Sequence, residues 1–221
     1  ENVAVCNEKV LETYLEGGSI GEEDIRQMIQ KRELFPCFFG SALKMEGIEE
    51  LLFALSEYTK MPEYQEKFGA TVFKITRDAQ GSRLTHLKVT GGVLKARNLL
   101  TGHKQNKPED IWEEKVNQIR IYSGEKYETK DEVEAGTICA VTGLSYTYPG
   151  EGLGIQTESE LPILEPVLTY ELILPEGVQP QAMMPKLTML EEEEPELHIV
   201  WNEQLQEIKI QIMGEVQIEI L

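Results

Sequence analysis

Phe68-Gly69-Ala70-Thr71-Val72-Phe73-Lys74-Ile75 is the stretch on which the reading of this 221-residue chain turns. Ahead of it, apolar residues recur every three or four positions; from Thr71, Phe73 and Ile75 onward they alternate with their neighbours. A period of two belongs to a strand with one buried face, so a β-rich segment begins here. Asp78-Ala79-Gln80-Gly81 supplies turn chemistry, and Thr85, Leu87 and Val89 alternate again behind it. Gly91-Gly92 leads into Val93-Leu94. A polar stretch, read as a loop, then precedes Ile119 and Ile121, a turn at Ser123-Gly124, and a strand Thr137-Ile138-Cys139-Ala140-Val141. Short strands, glycine turns and no helical run predict a small β-barrel.

Upstream, Val10, Leu11, Tyr14 and Leu15 stand at helical spacing, and Gly17-Gly18 closes that run. Ser19 with Glu22 predicts a capping box for a second helix, with Ile25, Met28 and Ile29 on its apolar face and Lys31 and Arg32 at its end. Leu34-Phe35-Pro36-Cys37-Phe38-Phe39 predicts a strand buried on both faces, running into Gly40-Ser41-Ala42. A third helix follows, with Ile48, Leu51, Leu52 and Leu55 inward and Pro62 past its end. Helix–strand–helix is half of an α/β unit, and sixty residues of it cannot close a doubly wound domain, so a larger one is expected. Downstream, Leu168, Tyr170, Leu172 and Leu174 share a strand face between Pro166 and Pro175, and Met183, Met184, Leu187 and Leu190 mark a helix. Two strands, 197–201 and 208–212, flank the polar turn Asn202-Glu203-Gln204; a closing helix is expected near Val216, after Gly214. This strand–helix–strand–strand order predicts most of an α+β sandwich. The fold class is therefore multi-domain: α/β, then β-barrel, then α+β, with truncation expected at both ends.

Composition narrows the function. Hydrophobic residues at 41% and charged residues at 27% describe an ordinary globular chain. No window reaches the ~18 apolar residues of a membrane span, and 1–6 lack a secretory pattern, so a cytoplasmic location is expected. Cys6, Cys37 and Cys139, an odd number without a CxxC, argue against a disulfide framework or a zinc site. The net charge of −18 opposes whole-surface electrostatic binding of nucleic acid, but it is uneven. Residues 1–66 carry 6 basic and 14 acidic side chains, 67–157 carry 13 and 11, and 158–221 carry 2 and 14. The middle segment is the one least repelled by RNA phosphate.

The motifs bear on chemistry by what they lack. No GxxxxGK[ST] loop is present to give a nucleotide its backbone N–H groups and lysine. Asp78-Ala79-Gln80-Gly81 spells DxxG but lies between alternating strands and reads as a hairpin turn. Asn106-Lys107-Pro108-Glu109 imitates NKxD with Glu where Asp must accept two guanine N–H groups. Gly40-Ser41-Ala42-Leu43 follows a predicted buried strand and precedes a helix, where α/β sheets bind ligands and small residues admit a planar base edge. By itself it is also an ordinary strand-to-helix turn. His86, His103 and His198 lack a spaced metal partner, so neither a metal site nor a catalytic residue is assigned. Residues 191–194, four glutamates, read as a solvated helix end, though they oppose the helix dipole. Met183, Met184 and Met189 read as core, and Trp112 and Trp201 as packing more than RNA-stacking platforms.

The order of pieces is nonetheless specific. Phe39-Gly40-Ser41-Ala42-Leu43-Lys44, then Phe68-Gly69-Ala70-Thr71-Val72-Phe73-Lys74-Ile75, then Met213-Gly214-Glu215-Val216-Gln217-Ile218-Glu219-Ile220 resembles the translational GTPases of the elongation factor G class. Tyr14-Leu15-Glu16-Gly17, Gly47-Ile48-Glu49-Glu50-Leu51-Leu52, Gly91-Gly92-Val93-Leu94 and the stretch 134–144 support it. Within the class, Gly214-Glu215-Val216-Gln217 is similar to tetracycline-resistance ribosomal protection proteins, while 134–144 is nearer the translocase pattern. The resemblance implies that 1–65 end a P-loop GTP-binding domain, with Ser41, Ala42 and Leu43 at its last guanine-contacting motif. It implies a translation-factor β-barrel over 66–157 and a truncated, ferredoxin-like α+β sandwich over 158–221. It further implies a ribosome-stimulated GTPase using GTP and Mg²⁺, in the first reading a ribosomal protection protein that releases tetracycline from the small subunit, with a ribosomal partner met through small-subunit rRNA and protein, and a monomer. The phosphate loop, switches and catalytic His are expected upstream of this chain, which is itself expected to be inactive. The alternatives are an elongation factor G-like translocation factor and a non-enzymatic ribosome- or RNA-binding scaffold. Pro185 is expected to bend its helix or shift the helix start.

Overall fold

The structure, a computed structural model, describes residues 2–60, 62–105, 107–156 and 166–221. The expected boundary at 157/158 and Asn106 lie outside the described residues. Contacts divide the chain into two compact units, Glu1–Glu63 and Tyr64–Leu221.

The first unit is helical. Helix α1, Glu8–Leu15, starts where the Asn7 side chain accepts the amides of Lys9 and Val10 at 3.1 and 3.3 Å, and it ends before Gly17. Helix α2, Glu22–Gln30, is capped by Gly21 rather than Ser19: Asp24 Oδ2 accepts the Gly21 N–H at 3.0 Å. Three acids, Glu22, Glu23 and Asp24, in its first turn suit the helix dipole, and Lys31 falls at the C-cap. Helix α3 is Ile48–Tyr58, and Arg26 of α2 pairs with its Glu57. Two further expectations fail in this unit. Residues 34–40 form no strand: Phe35 and Phe39 are exposed, and no described neighbour offers this run a hydrogen-bonded ladder, which an apolar sequence cannot supply alone. On α3 only Ala54 is buried, while Leu51, Leu52 and Leu55 are exposed rather than inward. Among the described residues of the unit, the buried apolar ones are Ala4, Met28 and Ala54.

The second unit opens with strand β1, Gly69–Arg77, and strand β2, Arg83–Gly91, joined by the turn in which Asp78 Oδ1 accepts the amides of Gln80 and Ser82. The DxxG stretch is thus a hairpin turn. Thr85, Leu87 and Val89 face inward as expected, but β1 departs from strict alternation. A bulge between Val72 and Lys74 resets the phase, so Ala70, Val72 and Ile75 are buried and Phe73 points out, 49% exposed.

Strands β3 (Val93–Lys95), β4 (Leu99–Lys104), β5 (Lys107–Lys115), β6 (Gln118–Ser123), β7 (Lys126–Lys130), β8 (Glu132–Glu134), β9 (Ile138–Thr142) and β10 (Gly152–Gly154) complete the β region. The stretch read as a polar loop is therefore largely the β4–β5 hairpin. Its Glu and Lys residues mask the alternation that buries Leu100 and Trp112, and Lys107 of the NKxD-like run begins β5. One antiparallel sheet has the order β10-β1-β2-β9-β6-β7, accompanied by the β3-β8 and β4-β5 pairs. All close on one core that includes Val72, Leu87, Leu94, Trp112, Ile119 and Val141.

Strand β11, Leu168–Leu172, is followed by helix α4, Pro180–Glu193, strand β12, Val200–Asn202, strand β13, Glu207–Ile212, and helix α5, Glu215–Ile220. The sheet order is β11-β13-β12, all antiparallel neighbours. Leu197, expected to start a strand, sits buried in a 3-10 turn, Pro195–Leu197. Helix α4 starts early at Pro180 and runs through Pro185.

Candidate functional site

In the first unit, residues 40–47 form a tight loop. Ser41 and Glu46 exchange backbone hydrogen bonds at 3.0 and 3.1 Å, and the amides of Lys44 and Met45 close a 3-10 turn, Ala42–Lys44, onto Ser41 and Ala42. Gly47 adopts φ +74°, and a Cβ there would approach the Phe39 carbonyl at 2.7 Å, so only glycine closes the loop without strain. Among the described residues the amides of Ala42 and Leu43 meet no backbone acceptor, and Leu43 is 97% exposed. The three residues named from the sequence, Ser41, Ala42 and Leu43, therefore stand consecutively on one loop, with Ser41 tied to Glu46 and Ala42 and Leu43 exposed. The loop follows a segment, 34–40, with neither helix nor strand, rather than a buried strand.

The second unit carries two charged sites. At one end of the sheet, Arg83 Nη1 donates to Leu144 O, Thr147 Oγ1 and Thr85 Oγ1 at 2.8, 2.9 and 3.2 Å, and its Nε donates to Glu192 at 3.2 Å. Arg77 donates to Glu192 and Glu193 at 2.8 and 3.3 Å. Glu191 accepts the Ile199 amide at 2.8 Å. The glutamates at the end of α4 are thus not simply solvated; they meet two arginines more than a hundred residues earlier in sequence, and this offsets their conflict with the helix dipole. Beside them lies an open cavity of about 370 Å³, lined by Lys104, Lys107, Asp110, Tyr146 and Tyr148 among others. Lys104 lies 4.6 Å from the Tyr146 ring centre. Mixed charges and the absence of a convergent nucleophile and base give this cavity no evident catalytic chemistry.

Next to it, Glu151 is buried at the start of β10. Its oxygens accept from the Trp112 indole N–H at 3.1 Å and the Tyr148 amide at 3.3 Å, and burial pushes its carboxyl up to about 7. Trp112 is accordingly a packing residue with a satisfied N–H, while Trp201 is half-buried on β12. Met183 and Met184 are half-buried, whereas Met189 is exposed and not core. His86 lies on β2 with its Nε2 2.7 Å from Thr76 Oγ1; burial, with Lys74 nearby, holds its ring below the ordinary histidine range. His103 is on β4 and His198 ends the 3-10 turn, so the three histidines occupy separate elements. Burial pushes the Cys139 thiol up to about 12, while Cys6 and Cys37 are exposed. Among the described residues no three His, Cys, Asp or Glu side chains are grouped as metal ligands, and no helix is long and apolar enough to cross a membrane.

This combination of a mixed α/β chain with several antiparallel sheets is shared with a solved protein. The crystal structure of ttk003000868 from Thermus thermophilus matches with a TM-score of 0.75 over 99% of this chain and 34% of that one; at 21% identity the likeness is one of fold. In sequence, the chain is homologous along its whole length to part of elongation factor G. Elongation factor G from two strains of Ureaplasma parvum serovar 3 and from Ureaplasma urealyticum serovar 10 is 30% identical to it, over an alignment covering all of this chain and 36% of each relative. The chain thus spans about a third of the length of these relatives. No family model matches it.

Proposed function

We propose that this chain is part of a ribosome-dependent translational GTPase of the elongation factor G kind, acting in the cytoplasm as a monomer. The alignment of the whole of this chain with part of elongation factor G carries the reading. Residues 1–65 are then the end of the GTP-binding domain, 66–157 the second-domain β-barrel, and 158–221 most of the third domain. The order β11-β13-β12, with α4 connecting β11 to β12, is that of a ferredoxin-like sandwich without its last strand, which supports the third assignment. In the first, Phe39, Leu52 and Phe53 are apolar surface that further parts of a GTP-binding domain would cover.

On this reading the open amides of Ala42 and Leu43, with Ser41, meet the guanine edge of GTP. The small residues fit that part, because a planar base needs close backbone approach. GTP and Mg²⁺ supply the phosphoryl-transfer chemistry, but no residue of this chain is assigned to phosphate or metal. The sequence holds no GxxxxGK[ST] loop, so this stretch alone neither hydrolyses GTP nor binds it tightly. The second and third domains contribute contacts to the small ribosomal subunit.

The protection-protein reading rests on Gly214-Glu215-Val216-Gln217. Here Gln217 Oε1 accepts the Met213 amide at 2.8 Å, bracketing the turn from β13 into α5. That local task accounts for a glutamine without reference to tetracycline, so the translocation-type factor becomes the first reading and drug protection the second. The test uses the full-length protein and ribosomes loaded with labelled tetracycline. Ribosome-stimulated GTP hydrolysis with the drug retained is the expected result; faster drug loss with GTP than with GDP moves the assignment to protection. No stimulated hydrolysis ends both and leaves a binding scaffold.

A further inference from the structure

The loop of residues 40–47 closes on a narrow stem. The Ser41 amide donates to the Glu46 carbonyl at 3.0 Å and the Glu46 amide donates back to Ser41 at 3.1 Å, so the two arms are pinned together. Beside that pair two glycines stand back to back. A Cβ on Gly40 would lie 2.6 Å from the Glu46 carbonyl oxygen and 3.5 Å from the Gly47 Cα, and a Cβ on Gly47 would lie 3.1 Å from the Gly40 Cα. No side chain fits at either position without parting the arms. Gly47 is also the N-cap of α3, and its carbonyl accepts the Leu51 amide at 3.2 Å, so the stem is fixed to the start of that helix. Within the loop Met45 holds φ +58°, a left-handed backbone, with its side chain 72% exposed. The closed loop uses the amides of Ser41, Lys44, Met45 and Glu46 internally, and among the described residues it leaves those of Ala42 and Leu43 without a backbone acceptor.

We propose that Gly40 and Gly47 are positioning residues for base selection: their close contact holds the Ala42 and Leu43 amides in the arrangement that favours guanine over adenine. The proposal rests on the reading given above, in which this loop meets the guanine edge, and adds which residues set the discrimination. Guanine presents two acceptors, N7 and O6, on one edge; adenine presents N7 and an amino donor in place of O6. Backbone N–H donors suit the first pattern. Against the second, one donor faces another, and both lose water without gaining a partner. Selection by backbone donors needs a fixed loop, because a peptide free to turn would offer its carbonyl to the amino group instead. The paired glycines and the Ser41–Glu46 hydrogen bonds supply that rigidity, whereas the Leu43 side chain, 97% exposed, supplies none of it.

The test uses the full-length protein and the displacement of a fluorescent GDP by three competitors. GDP and inosine diphosphate carry O6; the 2-aminopurine riboside diphosphate keeps the 2-amino group but lacks O6. Wild type should bind the third most weakly. Gly47→Ala should weaken GDP and inosine diphosphate about tenfold each, as the loss of one well-placed hydrogen bond requires, and leave the 2-aminopurine nucleotide within about twofold. Glu46→Pro, at an exposed position, removes one stem hydrogen bond without placing atoms between the glycines. It should show the same selective loss, and it decides the matter if Gly47→Ala does not fold. Met45→Gly keeps the left-handed turn at no steric cost and should match wild type. Equal loss of all three nucleotides in the variants overturns the proposal, because a loosened fold does not distinguish O6. Unchanged GDP binding in Gly47→Ala and Glu46→Pro overturns it as well, and so does a selective loss in Met45→Gly, which would place the contact in that side chain. Wild-type protein that binds none of the three ends the GTP-binding reading itself, whereas wild-type binding with unselective variants ends only the role given to the glycines.

Discussion

Glu151 and Trp112 show what single residues do in the β region. The carboxyl is 3% exposed, and the Trp112 indole and the Tyr148 amide both donate to it. A Cβ on Gly102 would run into both Glu151 and the Trp112 ring, so the glycine is a packing requirement. With burial as the main cause, the folded-state value of about 7 lies above the ordinary 4.5. The folded chain therefore keeps a proton between these values that the unfolded chain releases. The stability from this group is complete below pH 4.5 and is lost as pH rises through about 7. Melting between pH 5 and 8 should thus show a steeper loss for wild type than for Glu151→Gln. The variant should start lower by ~1 kcal/mol, because an amide cannot accept both hydrogen bonds. Parallel pH profiles would show that Glu151 does not titrate in this range.

Elements are held by side chains far apart in the chain. Arg77 joins β1 to the end of α4 through Glu192 and Glu193, and Arg83 adds the 144–147 loop. A double-mutant cycle on Arg77→Ala and Glu193→Ala should give a coupling of ~0.5–1 kcal/mol, since the pair is only partly buried. That coupling should shrink between 50 and 500 mM KCl, as screening requires; a salt-independent value would point to packing instead. Arg83→Ala should cost more, ~3 kcal/mol, because it strands several buried acceptors. Helix α4 holds a second test. Pro185 leaves the Gln181 carbonyl without its intrahelical N–H, although the helix continues past it. Pro185→Ala should therefore stabilise the second unit by ~1–3 kcal/mol, as urea midpoints would measure; no gain would mean that the proline ring packs usefully.

At the scale of the whole molecule, the two units differ in how much they bury. The second gathers Val72, Leu87, Leu94, Ile119 and Val141 into one core, whereas the first buries Ala4, Met28 and Ala54 and leaves Leu52 and Phe53 in solvent. Local stability follows buried apolar area. Native-state hydrogen exchange of this chain should show the amides of α1, α2 and α3 exchanging well before those of β1, β2 and β9. Comparable protection in both units would mean that the first is more stable than its burial implies.

Much of the fold was legible because its signals are local. Helical spacing at Val10, Leu11 and Tyr14, alternation at Thr85, Leu87 and Val89, and the turn at Asp78 are each set by a few neighbouring residues. The resemblance to elongation factor G was legible for a similar reason, since it lies in the linear order of short motifs. The β4–β5 hairpin was not legible, because its exposed charges hide the alternation that buries Leu100 and Trp112. The exposure of 34–40 was not legible either, because an apolar run forms a strand only where neighbours supply a ladder. Ser41, Ala42 and Leu43 are consecutive and could be singled out from sequence as a turn ahead of a helix, whereas the row of Phe73, His86, Tyr122 and Tyr127 could not. Its members are scattered over 55 positions, and only a bulge, strand register and the small Ala140 bring the rings together. The sequence determined the elements and their kinship through short-range periodicity; the tertiary structure decided which side chains meet, because sheet register and long-range ion pairing join residues that no local pattern relates.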